Sequence, residues 1–197
     1  RSSAASDVYK RQVFTWKSSA MSTRKMVTIA MLTAVYVVLN FAGTVRLGWI
    51  NISVASLPVI VGAMLYGPVG GLLVGLLGAF MGQLLTYGVT ATTILWILPQ
   101  AARGLLVGVY AKHCGYKFSS GQLTLALIGT ALVVTALNTG AMYIDSVIYN
   151  YYSYAYVFGG LVVRIISGAA TAVLMVFVAP PVVNLLNRSL DTVRTAQ

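Results

Sequence analysis

Long apolar stretches, separated by short polar breaks, run through this sequence from about residue 25 to residue 179. A helix needs about 20 mostly apolar residues to cross the hydrocarbon core of a bilayer. Six stretches of about this kind can be drawn, at about 25–44, 52–66, 69–86, 92–112, 122–144 and 155–179. The sequence therefore predicts an all-α integral membrane protein, a bundle of six transmembrane helices.

Glycine and proline pairs predict where two of these helices end. The dipeptide Gly67-Pro68 predicts a tight turn between the second and third helices. The pair Pro180-Pro181 predicts the end of the sixth helix, with a short amphipathic tail after it to Leu190.

The first 20 residues are polar and unlike the rest of the chain, and Met21 fits a native start. We expect residues 1–20 to be a non-native or disordered leader and exclude them from the fold prediction. The prediction is then one transmembrane domain at 21–190 and a cytoplasmic tail at 191–197.

Charged residues make up only 8% of the chain, whereas a soluble domain carries about 25%. The net charge of +10 is spread around the apolar stretches, which indicates membrane topology and no nucleic-acid partner. One set of loops and ends holds most basic residues, namely Arg24, Lys25, Lys112, His113, Lys117, Arg188 and Arg194. The positive-inside rule places this side, with both termini, in the cytoplasm.

Several kinds of activity are excluded because the sequence lacks the residues they need. One cysteine (Cys114), one histidine and no glutamate make a metal site very hard to build. There is no phosphate-binding G-x-x-x-x-G-K-[ST] motif, no acid–base pair and no activated nucleophile. We therefore expect no enzyme activity and no cofactor. Since no Asp or Glu lies within a predicted span, a transporter of this kind would take its energy from another subunit or act passively.

Two arginines fall inside predicted spans, Arg103 about 11 residues into the fourth and Arg164 about nine into the sixth. A charge there costs at least ~2.5 kcal/mol and normally faces the protein interior or water. A guanidinium suits bidentate capture of a carboxylate, which predicts an anionic substrate. The alternatives are capping of backbone carbonyls or, for Arg103, reaching the cytoplasmic surface.

Amides and aromatic rings gather in the outer halves of the predicted helices. A site of this composition suits a flat aromatic solute with an acidic tail. Each amide could instead bond between helices, and the tyrosines between 149 and 156 could form an interfacial belt. The candidates are Trp49, Asn51, Gln83, Trp96, Gln100 and Asn138.

Small residues recur at helical spacing in two places. The third predicted helix carries glycines four residues apart, at 67, 71 and 75, which predicts close packing and a central position. The first helix carries Ala30 and Ala34, which form a weaker docking motif of the same type.

Three segments of the chain resemble the substrate-binding S components of energy-coupling factor (ECF) vitamin importers. They are ISVASLPVIVGAMLYGPVGGLLVGLLGAFMGQLL for helices 2 and 3, LPQAARGLLVGVY for helix 4 and ALNTGAMY for helix 5. The segment for helices 2 and 3 is most similar to the folate-type members, whose helix 4 differs. The resemblance covers about residues 25–185. One departure is Gln83, where folate-type members usually have an acidic residue.

The resemblance implies a six-helix protein of a bacterial-type cytoplasmic membrane that binds one vitamin near the outer face. Its partners would be a membrane scaffold T subunit, facing Ala30 and Ala34, and two cytoplasmic ATPases. The resemblance also implies pocket positions in three loops, at Arg46, Trp49, Tyr87 and residues 145–154. Tyr143, at the end of ALNTGAMY, joins the candidates.

Other interpretations stay open. The vitamin could be folate, pantothenate or another, and the chain could be a solitary passive carrier without ATPase partners. A membrane enzyme would need a catalytic constellation, and a purely structural subunit would have its outer cavity filled by side chains.

Overall fold

The computed structural model describes residues 21–47, 50–116 and 120–195. These residues form α1 (Thr23–Ala42), β1 (Thr44–Leu47), β2 (Ile50–Ser53), α2 (Ser56–Tyr87), α3 (Thr93–His113), α4 (Ser120–Ile148), α5 (Tyr154–Phe158) and α6 (Leu161–Thr195). Within them, five helical stretches are long and apolar enough to cross a membrane. The helical membrane architecture is confirmed, whereas the count of six spans and the cytoplasmic termini stay predictions. The proposed leader, residues 1–20, lies outside the described residues.

Helix α2 folds back on itself at Gly67. This residue has φ +72° and ψ −156°, a conformation that glycine adopts at little cost, and Pro68 lacks the N–H of a continuous helix. A Cβ added to Gly62 would lie 3.0 Å from the Val74 side chain, although residues twelve apart in a straight helix are about 18 Å apart. The two halves of α2 therefore pack together as a hairpin, and the predicted turn is confirmed.

The second half of α2 packs backbone to backbone on α3. A Cβ added to Gly71 or to Gly104 would overlap the other residue's backbone, and one added to Gly75 would overlap the carbonyl of Gln100. Residues without side chains allow this approach. Because α2 also packs against α1 and α6, the predicted central position of the glycine-rich segment is confirmed.

Two clusters of buried side chains hold the remaining helices on α2. One joins α2, α3, α4 and α6 around Met175, and the other joins α1 to α2 around Val59. Large apolar side chains also cover the outside, and Phe177 and Leu125 are each 73% exposed. Such an exterior is expected of a surface that faces lipid.

The bundle has two different ends. The β1–β2 hairpin, the α2–α3 junction and the α4–α5 junction lie at one of them, which we call the hairpin end. The bend of α2 lies at the opposite end, where the Tyr116 hydroxyl is 2.6 Å from the position of a Cβ on Gly67.

Two predicted boundaries are wrong. The sequence predicts a loop and then a helix from about residue 52, but Thr44–Leu47 and Ile50–Ser53 pair as antiparallel strands, with Thr44 opposite Ser53, and α2 begins at Ser56. The β-branched residues of these two segments favour strands. The predicted stop at Pro180-Pro181 is also wrong, since α6 continues to Thr195. Membrane helices tolerate prolines because neighbouring helices and local adjustments satisfy the freed carbonyls.

Candidate functional site

Three cavities lie between the helices in the half of the bundle next to the hairpin end. The first, the tyrosine cavity, has a volume of about 340 Å³. Its wall comes from α2, the α2–α3 loop, α3, the end of α4 and the segment around α5. It consists of Gln83, Tyr87, Thr90, Thr92, Trp96, Asp145, Tyr149, Tyr151 and Tyr156.

The second cavity, the amide cavity, has a volume of about 490 Å³ and lies between α1, α2, α3 and α4. Its polar wall residues are Tyr36, Asn40, Gln83, Thr86, Tyr87, Trp96, Gln100 and Asn138. The third, the arginine cavity, has a volume of about 280 Å³. Its polar wall residues are Ser53, Gln100, Arg103, Thr135, Asn138, Arg164, Ser167 and Thr171.

The cavities share walls. Gln83, Tyr87 and Trp96 line both the tyrosine and the amide cavity. Gln100 and Asn138 line both the amide and the arginine cavity. The three therefore form one neighbouring series, and each cavity is close to the lower end of the size range of small-molecule sites, about 300–1,000 Å³.

Seven of the predicted substrate-binding residues lie in these walls. They come from four different helices, so their convergence is a property of the bundle and not of one segment. The seven are Gln83, Tyr87, Trp96, Gln100, Arg103, Asn138 and Arg164.

For three of the other four predicted residues, Arg46, Trp49 and Asn51, the structure describes no side chain, so their place in the site stays a prediction. Arg46 and Asn51 are opposite each other in the register of β1 and β2, and Trp49 lies outside the described residues. Tyr143 is not among the wall residues of the three cavities, and its ring meets Tyr152 edge to face, with centroids 5.5 Å apart.

Arg164 lies about as deep as predicted, ten residues after the start of the candidate span Tyr154–Ser189. Because the helix breaks at Gly159 and Gly160, Arg164 falls in the first turn of α6. Its guanidinium donates to the carbonyl oxygens of Gly160, at 3.4 Å, and Val157, and contacts the Met142 sulfur at 2.7 Å. This is the carbonyl-capping role raised as the alternative, and it fastens α5 to α6.

Arg103 lies in the middle of α3 and lines the arginine cavity. It also borders a smaller cavity of about 20 Å³ with Ser56, Thr130 and Thr171 in its wall. Within the described part of the chain, the Arg103 guanidinium donates no hydrogen bond. The Arg164 guanidinium, by contrast, donates to two backbone carbonyl oxygens. The donors of Arg103 are therefore better placed than those of Arg164 to bind a ligand.

Gln100 contributes a buried acceptor to the place where the amide and arginine cavities meet. Its Oε1 atom is buried, and no described residue donates a hydrogen bond to it. Buried polar atoms nearly always have a partner. An acceptor of this kind in a cavity wall is suited to a donor group on a ligand.

Asp145 is the centre of a hydrogen-bond cluster at the tyrosine cavity. Its side chain is only 9% exposed. Oδ1 accepts from the Thr92 hydroxyl and, at 3.5 Å, from the Trp96 indole, and Oδ2 accepts from the Tyr151 hydroxyl. The cluster joins the α2–α3 junction to the segment after α4.

The bond to Asp145 alters the chemistry of Tyr151, which lies in the loop after α4. Loss of the phenolic proton would break the bond and place two negative charges together. The pKa of Tyr151 is therefore raised above its usual value of about 10. Tyr151 stays a protonated donor at physiological pH.

Sequence reasoning missed Tyr36 and Asn40, and it included Asp145 only as the first residue of the implied pocket loop 145–154. The sequence predicts a loop position for Asp145 at an outer end, but α4 continues to Ile148, so this acid lies in a helix that is a candidate span. The rarity of acids in such helices was the available signal. Asn40 carried the signal of a polar residue within a predicted span, whereas Tyr36 carried none and is placed by its packing against Gly78.

Ala30 and Ala34 lie on the opposite, exposed side of α1 from Tyr36, which is buried. Apolar side chains flank them, including Val38 at 63% exposure and Met31 at 65%. The structure thus leaves this small-residue face uncovered by the described part of the chain, and its role as a docking face stays a prediction.

Comparison with known proteins defines the class to which this chain belongs. The family of ECF transporter substrate-specific components matches residues 24–183. The chain belongs to this family, whose members serve transport and not catalysis. The predicted resemblance to S components is confirmed, and the folate leaning stays a prediction.

Curated relatives are similar over part of the chain. A UPF0397 protein of Lactobacillus gasseri is 32% identical over 99 residues, which is 49% of this chain and 52% of the relative. A UPF0397 protein of Leuconostoc citreum is 33% identical over 112 residues, 55% and 56% of the two chains. The chain thus spans about half the length of the curated relatives it matches.

Solved structures are similar in fold. The S component of a bacterial ECF transporter aligns over 87% of this chain and 98% of its own, with 22% identity and a TM-score of 0.52. The biotin S component of an ECF-type ABC transporter aligns over 86% and 95%, with 16% identity and a TM-score of 0.57. At these identities the likeness concerns the fold alone.

Proposed function

We propose that this chain is the substrate-capture subunit of an ATP-driven ECF importer and that it binds a small anionic vitamin in the three neighbouring cavities. The observation that carries the proposal is Arg103 in a cavity wall inside an apolar helix. A charge in that position is costly unless it meets water or a counter-charge. A guanidinium meets a carboxylate with two parallel hydrogen bonds.

The rest of the wall suits a ring attached to the acid. Trp96 borders two of the cavities and offers a flat surface for stacking. Gln83, Gln100 and Asn138 offer donors and acceptors for the polar edges of a ring. These features favour a folate-like ligand, and pantothenate or another vitamin with a carboxylate is the nearest alternative.

In this proposal the hairpin end faces the outside, and six spans place both termini in the cytoplasm of a bacterial-type membrane. The ligand enters from outside, and the loops at the hairpin end close over it. A scaffold T subunit binds at Ala30 and Ala34, and two ATPases drive delivery inward. Arg164 acts mainly by fastening α5 to α6, beside the arginine cavity.

Binding is the first test. The chain from Met21 onward would be purified in detergent, and thermal stabilisation would be measured against folate, biotin, pantothenate, riboflavin and thiamine. We expect one anionic vitamin to stabilise the wild type and Arg103→Gln to lose this stabilisation while its ligand-free unfolding temperature stays close to that of the wild type. No stabilisation by any vitamin would contradict the proposal.

Energy coupling is the second test. Uptake into proteoliposomes would be measured with and without the T subunit and the ATPases. Uptake that needs all of them and ATP supports the importer. Uptake by the chain alone would favour a solitary passive carrier.

A further inference from the structure

We infer that the ligand is an elongated molecule with an anionic group at one end and hydrogen-bond donors at the other. Its acid group lies against Arg103, and its donor end lies against Asp145. This inference rests on the proposed function and adds the polarity, the orientation and the length of the ligand.

The Asp145 end of the site accepts hydrogen bonds. The carboxylate is buried and receives three donors, from Thr92, Trp96 and Tyr151. Two carboxylate oxygens offer about four acceptor positions, so capacity for another donor is left. No Lys or Arg whose side chain the structure describes, a set that leaves out Arg46, pairs with this charge, which favours a ligand group that brings N–H or O–H donors.

The Arg103 end of the site donates hydrogen bonds. A guanidinium has five N–H groups and no acceptor, and Arg103 and Arg164 both border the arginine cavity. Arg164 already donates hydrogen bonds to the carbonyl oxygens of Val157 and Gly160. Arg103 is therefore the group that selects an anion here.

Between the two ends, Gln100 lines both the amide and the arginine cavity, and its buried Oε1 has no donor among the described residues. A ligand with an amide or ring N–H in its middle would satisfy this acceptor once the Gln100 amide turns toward the cavity. Along the site, Asp145 and Gln100 are thus acceptors and Arg103 is the cation. A matching ligand has a donor at one end, a donor in the middle and an anionic group at the other end.

The spacing of residues on α3 and on α4 gives the same distance between the Asp145 end and the Arg103 end of the site. Trp96, which touches Asp145, and Arg103 are seven positions apart on α3, or about 10 Å along the helix axis. On α4, Asp145 and Asn138, which borders the arginine cavity, are also seven positions apart, or about 10 Å. A compact anion cannot reach both ends, and a neutral or purely cationic vitamin leaves Arg103 without a counter-charge.

The test uses a panel of probes and then a matched pair. Folate, biotin and pantothenate have an acid group and distant donors, nicotinate is a compact anion, and riboflavin and thiamine lack a carboxylate. We expect the tightest probe to come from the first group. Nicotinate, riboflavin or thiamine binding as tightly would overturn the inferred ligand class, whereas no binding by any probe would overturn the proposed function itself.

Orientation is then determined with the tightest probe and its methyl ester. In the wild type the ester should bind at least about tenfold more weakly, because the charge-assisted bonds are lost. In Arg103→Gln the acid should lose about the same factor and the ester should be nearly unaffected. Equal losses for acid and ester would overturn the placement of the acid group.

Asp145→Asn should weaken the acid and the ester by the same factor, because it acts at the other end. Tyr151→Phe serves as its control, since it removes a bond that fastens the loop but leaves the carboxylate. A smaller loss in Tyr151→Phe than in Asp145→Asn supports direct contact between Asp145 and the ligand. Equal losses in the two variants, or none in Asp145→Asn, would overturn that contact.

Discussion

The backbones of Gly71 and Gly104 lie so close that neither residue could carry a Cβ without overlap. This contact joins the second half of α2, which carries Gln83, to α3, which carries Trp96, Gln100 and Arg103. The spacing of the cavity walls therefore depends on two residues that have no side chain to contribute. Packing and site geometry are linked at this point.

Gly104→Ala should destabilise the protein by about 1–3 kcal/mol, because the new methyl group meets the rigid backbone at Gly71. The matched control is Gly129→Ala in α4, where nothing lies within 4 Å of the added Cβ. That control should be neutral or slightly more stable, since alanine favours a helix. Reversible unfolding in mixed micelles measures both, and equal effects would contradict the packing described.

Arg164→Gln should lower stability more than it lowers ligand affinity. The variant removes the charge-assisted bond to Val157, a kind of bond worth about 1.5–3 kcal/mol, and the longer, weaker contact with Gly160. Arg103→Gln should do the reverse and lose affinity with little change in the ligand-free unfolding temperature. Measuring the unfolding temperature and the dissociation constant of both variants decides this, and a larger affinity loss in Arg164→Gln would reverse the roles.

Tyr151→Phe should destabilise the protein in a pH-dependent way. The pKa of Tyr151 is raised by its bond to Asp145, so the bond stabilises fully below the unfolded pKa of about 10 and is lost as pH rises through the folded value. The difference in unfolding temperature from the wild type should be constant up to about pH 9 and then shrink above about pH 10.

Unfolding temperatures of the two proteins over this pH range provide the measurement. The control is Tyr154→Phe, which removes a phenolic hydroxyl at a neighbouring position. The Tyr154 ring packs on Phe158, with ring centroids 5.1 Å apart. A difference for Tyr151→Phe that grows above about pH 10 would contradict the bond's assigned charge state.

Ala34→Leu should block transport without affecting vitamin binding. The side chain faces outward on α1, on the opposite side from Tyr36, and added bulk would keep a scaffold helix from approaching. Val35→Leu, at a 47% exposed neighbouring position, is the control and should transport normally. Co-purification with the T subunit and vitamin binding are measured together, and normal assembly of Ala34→Leu would remove this face from the interface.

The helical membrane architecture could be predicted because lipid allows few solutions. Every backbone polar group must find a partner within the protein, so long apolar stretches have to be helices. Gly67-Pro68 indicates a turn for equally local reasons, since one residue tolerates a positive φ and the next lacks an N–H. The helix end predicted at Pro180-Pro181 was wrong, since α6 continues through both prolines. Neighbouring helices and local adjustments can satisfy the carbonyls that a proline leaves without a donor.

The candidate site was predicted in part. Polar residues in apolar stretches stand out by their cost, and seven of the predicted residues do line the cavities. Their partners could not be predicted in the same way. Only the tertiary structure shows that the carbonyls of Val157 and Gly160 bind Arg164, and the extension of α4 to Ile148, four residues beyond the predicted end, brings Asp145 inside.

The sequence by itself determined that this chain lies in a membrane, that α2 turns at Gly67, and that glycines bring α2 close to its neighbour. Each of these comes from residues adjacent in the chain, through apolar length, backbone freedom or the absence of a side chain. Only the tertiary structure decided that Asp145 meets Tyr151, Thr92 and Trp96, and that backbone carbonyls hold Arg164 while Arg103 faces a cavity. Such contacts join residues far apart in the chain, and their geometry depends on how all the helices pack at once.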